Sequence, residues 1–297
     1  MHRKLSSTLF LCGASLLGAL LGSGCPGPEP GGGHYAVLDG YNLFYVDQGT
    51  NQPLPGGGTT PTVLLVSGLG DNVTVWDKVQ KQLAAHTRVI AYDRGGIGWS
   101  DMGPNPRTGG QIALELRFLL DAAGIPGPYV LVGHSFGGLY ARLFANAYPD
   151  DVVGMVLVDA VHEDRENRQA LLLEPGSLRL VQTVERFVTN AITDGGSLGE
   201  YQNRVNTFQE IRAKRRLPNI PLIFLSRDKD EFSYLPRGSA PAYQLENELD
   251  EGQTALVPRG ELRVIAGSNH VVQQDNPQAV VKAIVDVMHA ATGVTRP

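Results

Sequence analysis

The sequence predicts an α/β domain in which a mostly parallel sheet is covered by helices on both faces. From residue 35 onward, short β-branched runs alternate with longer stretches of helical spacing, the pattern of successive β-α units. Most runs are continuously apolar, as in strands buried on both faces. The chain has 297 residues, of which 42% are hydrophobic and 19% charged. This composition is that of an ordinary globular protein and excludes a disordered, collagenous or coiled-coil chain.

Eight strands and four main helices are predicted in order along the chain. The first two strands flank the turn signal Asp39-Gly40 and should form an antiparallel hairpin. The predicted strands are residues 35–38, 43–46, 63–66, 88–92, 129–132, 152–158, 221–225 and 262–265, and the predicted helices are residues 76–84, 110–123, 136–147 and 277–290.

One long interval interrupts this alternation. Between residues 158 and 221 about sixty residues contain no strand-like run, and a structureless loop of that length would be unusual in a compact domain. Helical spacing instead appears at residues 171–173, 178–188 and 208–217, separated by Gly-Ser and Asp-Gly-Gly breaks. We therefore predict a helical cap at about residues 162–217, inserted after the sixth strand as a lid over an active site.

The N-terminal segment has the features of an export signal followed by a tether. Basic residues precede an uncharged apolar run, so residues 1–24 are predicted to be a signal peptide and the Pro/Gly-rich residues 25–33 a flexible tether. The sequence before Cys25 resembles a bacterial lipobox, which would make Cys25 a lipidation site and a membrane tether. The alternatives are ordinary cleavage, which gives a soluble periplasmic or secreted protein, or an uncleaved anchor. Residues 34–297 then form the folded domain.

A Gly-x-Ser-x-Gly motif stands where a strand passes directly into a helix. Its serine is Ser135, between Gly133 and Gly137, after the apolar strand at residues 129–132 and before the helix at residues 136–147. In this context the motif predicts a nucleophile elbow, a strained turn that exposes the serine hydroxyl and needs small neighbours. The backbone N–H of Phe136 would then lie at the helix N-terminus, where partial positive charge can stabilise an oxyanion.

Four sequence blocks resemble the α/β-hydrolase superfamily over residues 35–290. These are Val63 to Gly70, the segment Asp93-Arg94-Gly95-Gly96-Ile97-Gly98-Trp99-Ser100, the Ser135 elbow, and Gly267-Ser268-Asn269-His270 with the following Asp275-Asn276-Pro277. The resemblance implies that the N–H of Leu69 joins that of Phe136 in an oxyanion hole. It also implies that Gly68, in the same loop, contributes to the pocket.

His270 is the predicted general base, because it follows the last strand in the short loop before the C-terminal helix. A serine nucleophile needs a histidine to take its proton as it attacks at neutral pH. Two other histidines are expected near the pocket. His134 precedes the nucleophile and should line or support the pocket, and His162, just past the sixth strand, is expected to contact the substrate or the acid.

Two carboxylates are candidates for the acid that orients His270. The chain order Ser, Asp or Glu, His admits Asp159, at the end of the sixth strand, and Asp230, in the Arg227-Asp228-Lys229-Asp230 charge cluster after the seventh. The position after the seventh strand is the commoner one in the superfamily. We favour Asp159, because the version of the fold that this chain resembles pairs a Val-Leu-Val-Asp-x-x-His segment with a seventh-strand end that often lacks a carboxylate.

The expected function is that of a serine hydrolase acting through an acyl-enzyme on a small-molecule acyl substrate. Among the serine enzymes of the superfamily that the chain resembles, carboxylic ester hydrolysis is the favoured activity. Aminopeptidase, lactonase or acyltransferase activity and a non-catalytic surface binding protein are the alternatives. A serine nucleophile argues against epoxide hydrolase and haloalkane dehalogenase chemistry, which use aspartate in this superfamily. No metal or dinucleotide-cofactor motif is found. The net charge of −5 gives no indication of nucleic-acid binding, and the sequence does not indicate an oligomeric state.

Overall fold

The computed structural model describes residues 28–170, 189–214, 217–228 and 240–293. Several predicted features lie outside these residues: the signal segment, Cys25, the helical patterns at residues 171–173 and 178–188, and the candidate acid Asp230. In the part of the chain that is described, no helix is long and apolar enough to span a membrane.

The described residues form one sheet of eight strands, in the order β1-β2-β4-β3-β5-β6-β7-β8. β1 pairs antiparallel with β2, β2 pairs antiparallel with β4, and all other pairs are parallel. The strands are β1 Gly33–Val37, β2 Asn42–Gln48, β3 Thr62–Val66, β4 Val89–Tyr92, β5 Tyr129–His134, β6 Val152–Val158, β7 Leu222–Arg227 and β8 Gly260–Ile265. The predicted fold class, including the opening hairpin, is confirmed.

Helices cover both faces of the sheet and enclose two apolar cores. One face carries α1 and α9, and the other carries α2 and α3, on which the inserted helix α6 packs. The helices are α1 Asp77–Leu83, α2 Gly109–Ala122, α3 Gly137–Ala147, α4 Arg165–Ala170, α5 Gly195–Gln202, α6 Arg204–Ala213, α7 Ala240–Thr254, α8 Val272–Asp275 and α9 Pro277–Thr292, with a 3-10 turn at Val73–Trp76 before α1.

Two features of the C-terminal half differ from the prediction. The last strand, β8, was expected to be buried on both faces, but it forms an edge of the sheet, and Val264 is 62% exposed. The helix α7 was not predicted, because its sequence is dominated by acidic and amide residues. Its inward positions Leu245 and Leu249 are nonetheless buried, one helical turn apart.

The inserted segment between β6 and β7 contains helices in its described part, with different boundaries from those predicted. The Gly195-Gly196 pair was expected to break a helix, but α5 begins there, because the Asp194 side chain accepts a hydrogen bond from the N–H of Ser197 as a helix cap. The helix predicted at residues 208–217 is instead Arg204–Ala213. Gly196 also lies against the backbone of Gly95 and Gly96, where a Cβ atom would clash.

The register of the central strands brings three strand ends together. His134 at the end of β5 pairs with Val158 at the end of β6, and Val158 pairs with Leu225 in β7. The residues that follow these strands therefore emerge side by side at the carboxyl edge of the sheet, which is where open α/β sheets bind their ligands.

Candidate active site

The turn after β5 holds Ser135 in a strained backbone conformation. Ser135 has φ 52°, in the left-handed region that residues other than glycine rarely adopt. Its N–H donates to Val158 O (3.1 Å), and its carbonyl accepts from Gly138 and Val161 (3.1 Å each). A Cβ atom on Gly137 would lie 2.2 Å from Val66 O, so the helix can begin this close to β3 only with glycine there. The predicted elbow geometry is present.

Ser135, His270 and Asp159 form one hydrogen-bonded chain. Ser135 Oγ lies 3.1 Å from His270 Nε2, and His270 Nδ1 lies 2.5 Å from Asp159 Oδ2. A carboxylate only accepts, so Nδ1 carries the proton and donates it to Asp159. Nε2 of the neutral ring is then free to accept the Ser135 hydroxyl proton. Of the two candidate acids, the structure brings Asp159 to the histidine, whereas Asp230 lies outside the described residues.

Asp159 is itself held in place by the two strands beside it. Its φ is 41°, its N–H donates to Leu225 O (2.8 Å), and Arg227 Nη1 lies 3.1 Å from its Oδ2 atom. Burial alone would raise the pKa of the Asp159 carboxyl, but the Arg227 charge and the hydrogen bond from His270 outweigh it and hold that pKa well below its usual range. Asp159 is therefore ionised at neutral pH.

The loop that carries His270 is fixed by carboxylates and by a second histidine. Asp228 Oδ2 accepts from Gly267 N–H (2.9 Å), and Asp275 Oδ2 accepts from Asn269 N–H (2.8 Å). His134, which is fully buried, lies with Nε2 3.0 Å from the His270 carbonyl oxygen, so Nε2–H donates. The two imidazole rings are 4.7 Å apart. His134 thus supports the His270 loop through a hydrogen bond to its backbone.

Burial governs the protonation of His270. It lowers the pKa of the imidazole below its ordinary value, and the opposing effect of Asp159 does not restore it. The ring is therefore neutral at pH 7, the form in which it can act as a base.

The predicted oxyanion loop lies directly against the serine. A Cβ atom on Gly68 would be 3.2 Å from Ser135 Cβ and 2.9 Å from His134 Nδ1, so the loop approaches this closely only with glycine. Leu69 and Phe136 are both buried. Among the residues that the structure describes, neither of their N–H groups donates to a protein acceptor. Two unused donors in the segments flanking the nucleophile are what an oxyanion hole requires.

His162 lies in a charged cluster rather than against Asp159. Its Nδ1 accepts from Asp164 N–H (3.0 Å), and Glu163 and Asp164 lie close enough that the three side chains could share a cation. Both carboxylates are already held by arginines, however: Arg142 Nη1 is 2.8 Å from Glu163, and Arg212 Nε is 2.7 Å from Asp164. These positive charges would repel a metal ion.

Sequence reasoning did not assign a role to two arginines that contact the site residues. Arg227 was noted only as part of the Arg227-Asp228-Lys229-Asp230 charge cluster, but it is 4% exposed and pairs with Asp159. Arg94 was recognised only as part of a motif, yet its guanidinium donates to the oxyanion-loop carbonyls of Ser67 and Gly68. One signal in the sequence could have indicated the burial of Arg227, namely its position just past the end of a predicted buried strand.

Residues 61–286 of the chain match the model of the alpha/beta hydrolase fold family. Similar sequences include the uncharacterized protein YqjL of Bacillus subtilis, which is 26% identical over 242 residues, 81% of this chain and 88% of that protein. A probable transporter, efuK of Hormonema carpetanum, is 37% identical over 107 residues, 35% of this chain. The match spans only 15% of that protein.

Solved structures of similar fold include enzymes of different chemistry. A thermophilic esterase from Thermogutta terrifontis has a TM-score of 0.60 and 22% identity, over 86% of this chain and 97% of that one. The epoxide hydrolase CorEH has a TM-score of 0.58 and 20% identity, over 86% and 97%. At this level of identity the likeness concerns the fold, so the chemistry has to be argued from the site.

Proposed function

Because the chain belongs to the alpha/beta hydrolase fold family, we propose that it is a serine hydrolase working through an acyl-enzyme, with Ser135 as nucleophile, His270 as base and Asp159 as the acid. The observation that carries the proposal is the continuous chain from Ser135 Oγ through His270 to Asp159, with separations of 3.1 and 2.5 Å. This is the arrangement that makes a serine hydroxyl nucleophilic at neutral pH.

The reaction follows from this proton path. Ser135 Oγ attacks the substrate carbonyl while its proton passes to His270 Nε2, and the imidazolium is stabilised by the Asp159 carboxylate. The tetrahedral intermediate collapses as Nε2–H protonates the leaving group, which leaves the acyl chain on Oγ. Water then attacks the acyl carbon, gives its proton to Nε2, and releases the acid as Oγ regains a proton.

The developing oxyanion would be stabilised by the N–H groups of Leu69 and Phe136. Phe136 directly follows the nucleophile, and Leu69 directly follows Gly68, which lies against Ser135, so both N–H groups are positioned before the substrate arrives. Preorganised donors of this kind commonly contribute about 10²- to 10³-fold each to kcat.

Carboxylic esters are the substrate class we propose. The serine nucleophile favours acyl transfer over epoxide opening, and esters need less leaving-group assistance than amides. The fold shared with an esterase is consistent with this choice. Peptide bonds with a free N-terminus, lactones, and transfer to an acceptor other than water are the alternatives on the same triad. If the wild-type protein turned over none of these substrate classes, a binding protein on a hydrolase scaffold would be favoured.

The proposal is tested by covalent labelling and a substrate panel. The full-length protein should react with a fluorophosphonate probe, and peptide mapping should find the adduct on Ser135. The Ser135→Ala variant should not label and should lose several orders of magnitude in turnover. The panel comprises p-nitrophenyl esters of increasing chain length, aminoacyl arylamides and lactones. Folded wild-type protein that neither labels nor turns over any of them would contradict the proposal.

A further inference from the structure

A buried ion pair connects the inserted segment to the loop beside the nucleophile. Arg94, two residues past β4, is 1% exposed, and Glu200, on α5 of the insert, is fully buried. Arg94 Nε donates to Glu200 Oε1 (2.7 Å), and Arg94 Nη2 donates to Oε2 (3.0 Å). This two-pronged geometry is the arrangement in which a buried pair compensates for its desolvation.

The remaining donors of Arg94 hold two carbonyls of the oxyanion loop. Nη1 donates to Ser67 O and Nη2 to Gly68 O, each at 2.8 Å. The guanidinium therefore bonds at once to the insert and to the two residues that precede Leu69. Its planar fork fixes these acceptors relative to one another, which a lysine ammonium would not do.

The contact at Gly68 bears directly on the N–H of Leu69. The Gly68 carbonyl and the Leu69 N–H belong to one trans peptide group, in which C=O and N–H point in opposite directions. Fixing the carbonyl toward Arg94 therefore fixes the N–H on the opposite side. A charged donor on the carbonyl also polarises the peptide group and strengthens its N–H as a donor.

We propose that Arg94 is a positioning residue that orients and polarises the Leu69 N–H of the oxyanion hole, and that Glu200 of the insert holds Arg94 in the geometry this requires. The inference rests on the proposed hydrolase function and deepens it. On this account the insert contributes, through Glu200 and Arg94, to the geometry of the oxyanion hole.

Tyr140, on α3, provides an internal control for the same cluster. Its hydroxyl donates to Glu200 Oε2 (3.0 Å), and its ring lies under the Arg94 guanidinium, 5.2 Å from ring centroid to Cζ. It makes no hydrogen bond to Ser67 or Gly68. Tyr140→Phe thus removes a hydrogen bond from the cluster while leaving every contact between Arg94 and the loop.

The experiment measures kcat, KM and inhibitor binding for the full-length wild type, Glu200→Gln and Tyr140→Phe with a p-nitrophenyl ester. Glu200→Gln should lower kcat by about 10- to 100-fold with KM within threefold, because a misoriented donor matters most in the transition state. The Ki of a trifluoromethyl ketone, whose adduct with Ser135 carries an oxyanion, should rise by a similar factor. The Ki of an uncharged ether analogue of the ester, which has no carbonyl oxygen for the Leu69 N–H to bind, should stay within threefold, and Tyr140→Phe should keep wild-type values.

The double variant Arg94→Gln with Glu200→Gln separates positioning from stability. It removes both charges together, so no buried charge is left unpaired, and its melting temperature should exceed that of Glu200→Gln. Its kcat should nevertheless remain low, because the glutamine side chain is too short to reach both carbonyls. Recovery of kcat together with the melting temperature would show a purely structural role and overturn the inference. If Glu200→Gln does not fold, the double variant alone decides between these outcomes.

The two proposals fail in distinguishable ways. An active wild type whose Glu200→Gln variant keeps kcat and trifluoromethyl ketone affinity overturns the role of the pair and leaves the hydrolase function standing. A wild type that neither turns over nor labels with a fluorophosphonate overturns both.

Discussion

Arg227 Nη1 lies 3.1 Å from Asp159 Oδ2, so the carboxylate that accepts a hydrogen bond from His270 also forms an ion pair with a buried arginine. Arg227 ends β7, and Asp159 directly follows the neighbouring strand β6. The same carboxylate oxygen accepts from His270 Nδ1 at 2.5 Å. The arginine therefore compensates for the cost of burying Asp159 while reducing the negative potential that Asp159 exerts on the imidazole.

This relationship predicts a change in the pH profile of Arg227→Met. Activity requires neutral His270, so kcat/KM rises as the pH passes upward through the pKa of that histidine. Burial is the main cause that lowers this pKa, and the positive charge of Arg227 lowers it further. Removing the charge should raise the pKa and move the acid limb of the profile to higher pH. The measurement is kcat/KM on an aryl ester between pH 4 and pH 8.

Two further variants make that experiment specific. Arg227→Lys retains the charge and should keep the acid limb close to that of the wild type. Arg263→Met removes an arginine of the edge strand β8 that pairs with Glu261 of the same strand and with Asp286 of α9, and it should leave the profile unchanged. A profile for Arg227→Met that coincides with that of the wild type would refute the electrostatic role of Arg227.

A second prediction compares the two candidate acids. Asp159→Asn should lower kcat by about 10⁴-fold, because the histidine loses its orienting carboxylate and its preferred tautomer. Asp230→Asn should stay within threefold of the wild type. Both are measured on the same aryl ester, with a melting curve for each variant, since Asp159→Asn leaves Arg227 without its partner carboxylate. Comparable losses in the two variants would contradict the assignment of Asp159.

Local motifs allowed part of this site to be predicted from the sequence. The turn around Ser135 requires small residues on both sides of the serine, and His270 stands in a short loop between a strand and a helix. Both signals are contained within a few consecutive residues. The preference for Asp159 over Asp230 came from the family resemblance, whereas the contact between Asp159 and His270 depends on how neighbouring strands align, with Val158 paired to Leu225.

The residues that sequence reasoning missed are those defined by contacts between distant segments. Glu200 lies 106 positions from Arg94 along the chain. A charged residue normally indicates a solvated surface, and its burial becomes understandable only when its partner is known. The helix α7 was missed for a related reason. Its two buried leucines stand in a mostly polar sequence, so tertiary packing rather than an apolar pattern determines its conformation.

Gly137 should be intolerant of even the smallest side chain. A Cβ atom there would lie 2.2 Å from Val66 O and 2.6 Å from Ser67 O, both backbone atoms that cannot move without displacing β3. Gly137→Ala should therefore lower the free energy of unfolding by about 1–3 kcal/mol and also reduce kcat, since the displaced backbone leads into the oxyanion loop. Gly56→Ala is the matched control, because no atom lies within 4 Å of its added Cβ. Urea unfolding of both variants checks the prediction, and equal stability of the two would contradict it.

Glu163 should contribute to stability in a defined range of pH. Burial would raise the pKa of its carboxyl, but the hydrogen bond and charge of Arg142 outweigh this effect and lower the pKa to about 2. For an acid whose pKa is lower in the folded state, the contribution is fully present above the pKa of the unfolded chain, about 4.3, and is lost as the pH falls toward 2. Wild-type protein should therefore lose part of its free energy of unfolding between pH 5 and pH 2.5. In Glu163→Gln this loss should be smaller, whereas Glu251→Gln, which alters an exposed carboxylate, should follow the wild type. Urea unfolding at a series of pH values measures the difference, and parallel curves for wild type and Glu163→Gln would rule out the ion pair with Arg142 as a source of acid-sensitive stability.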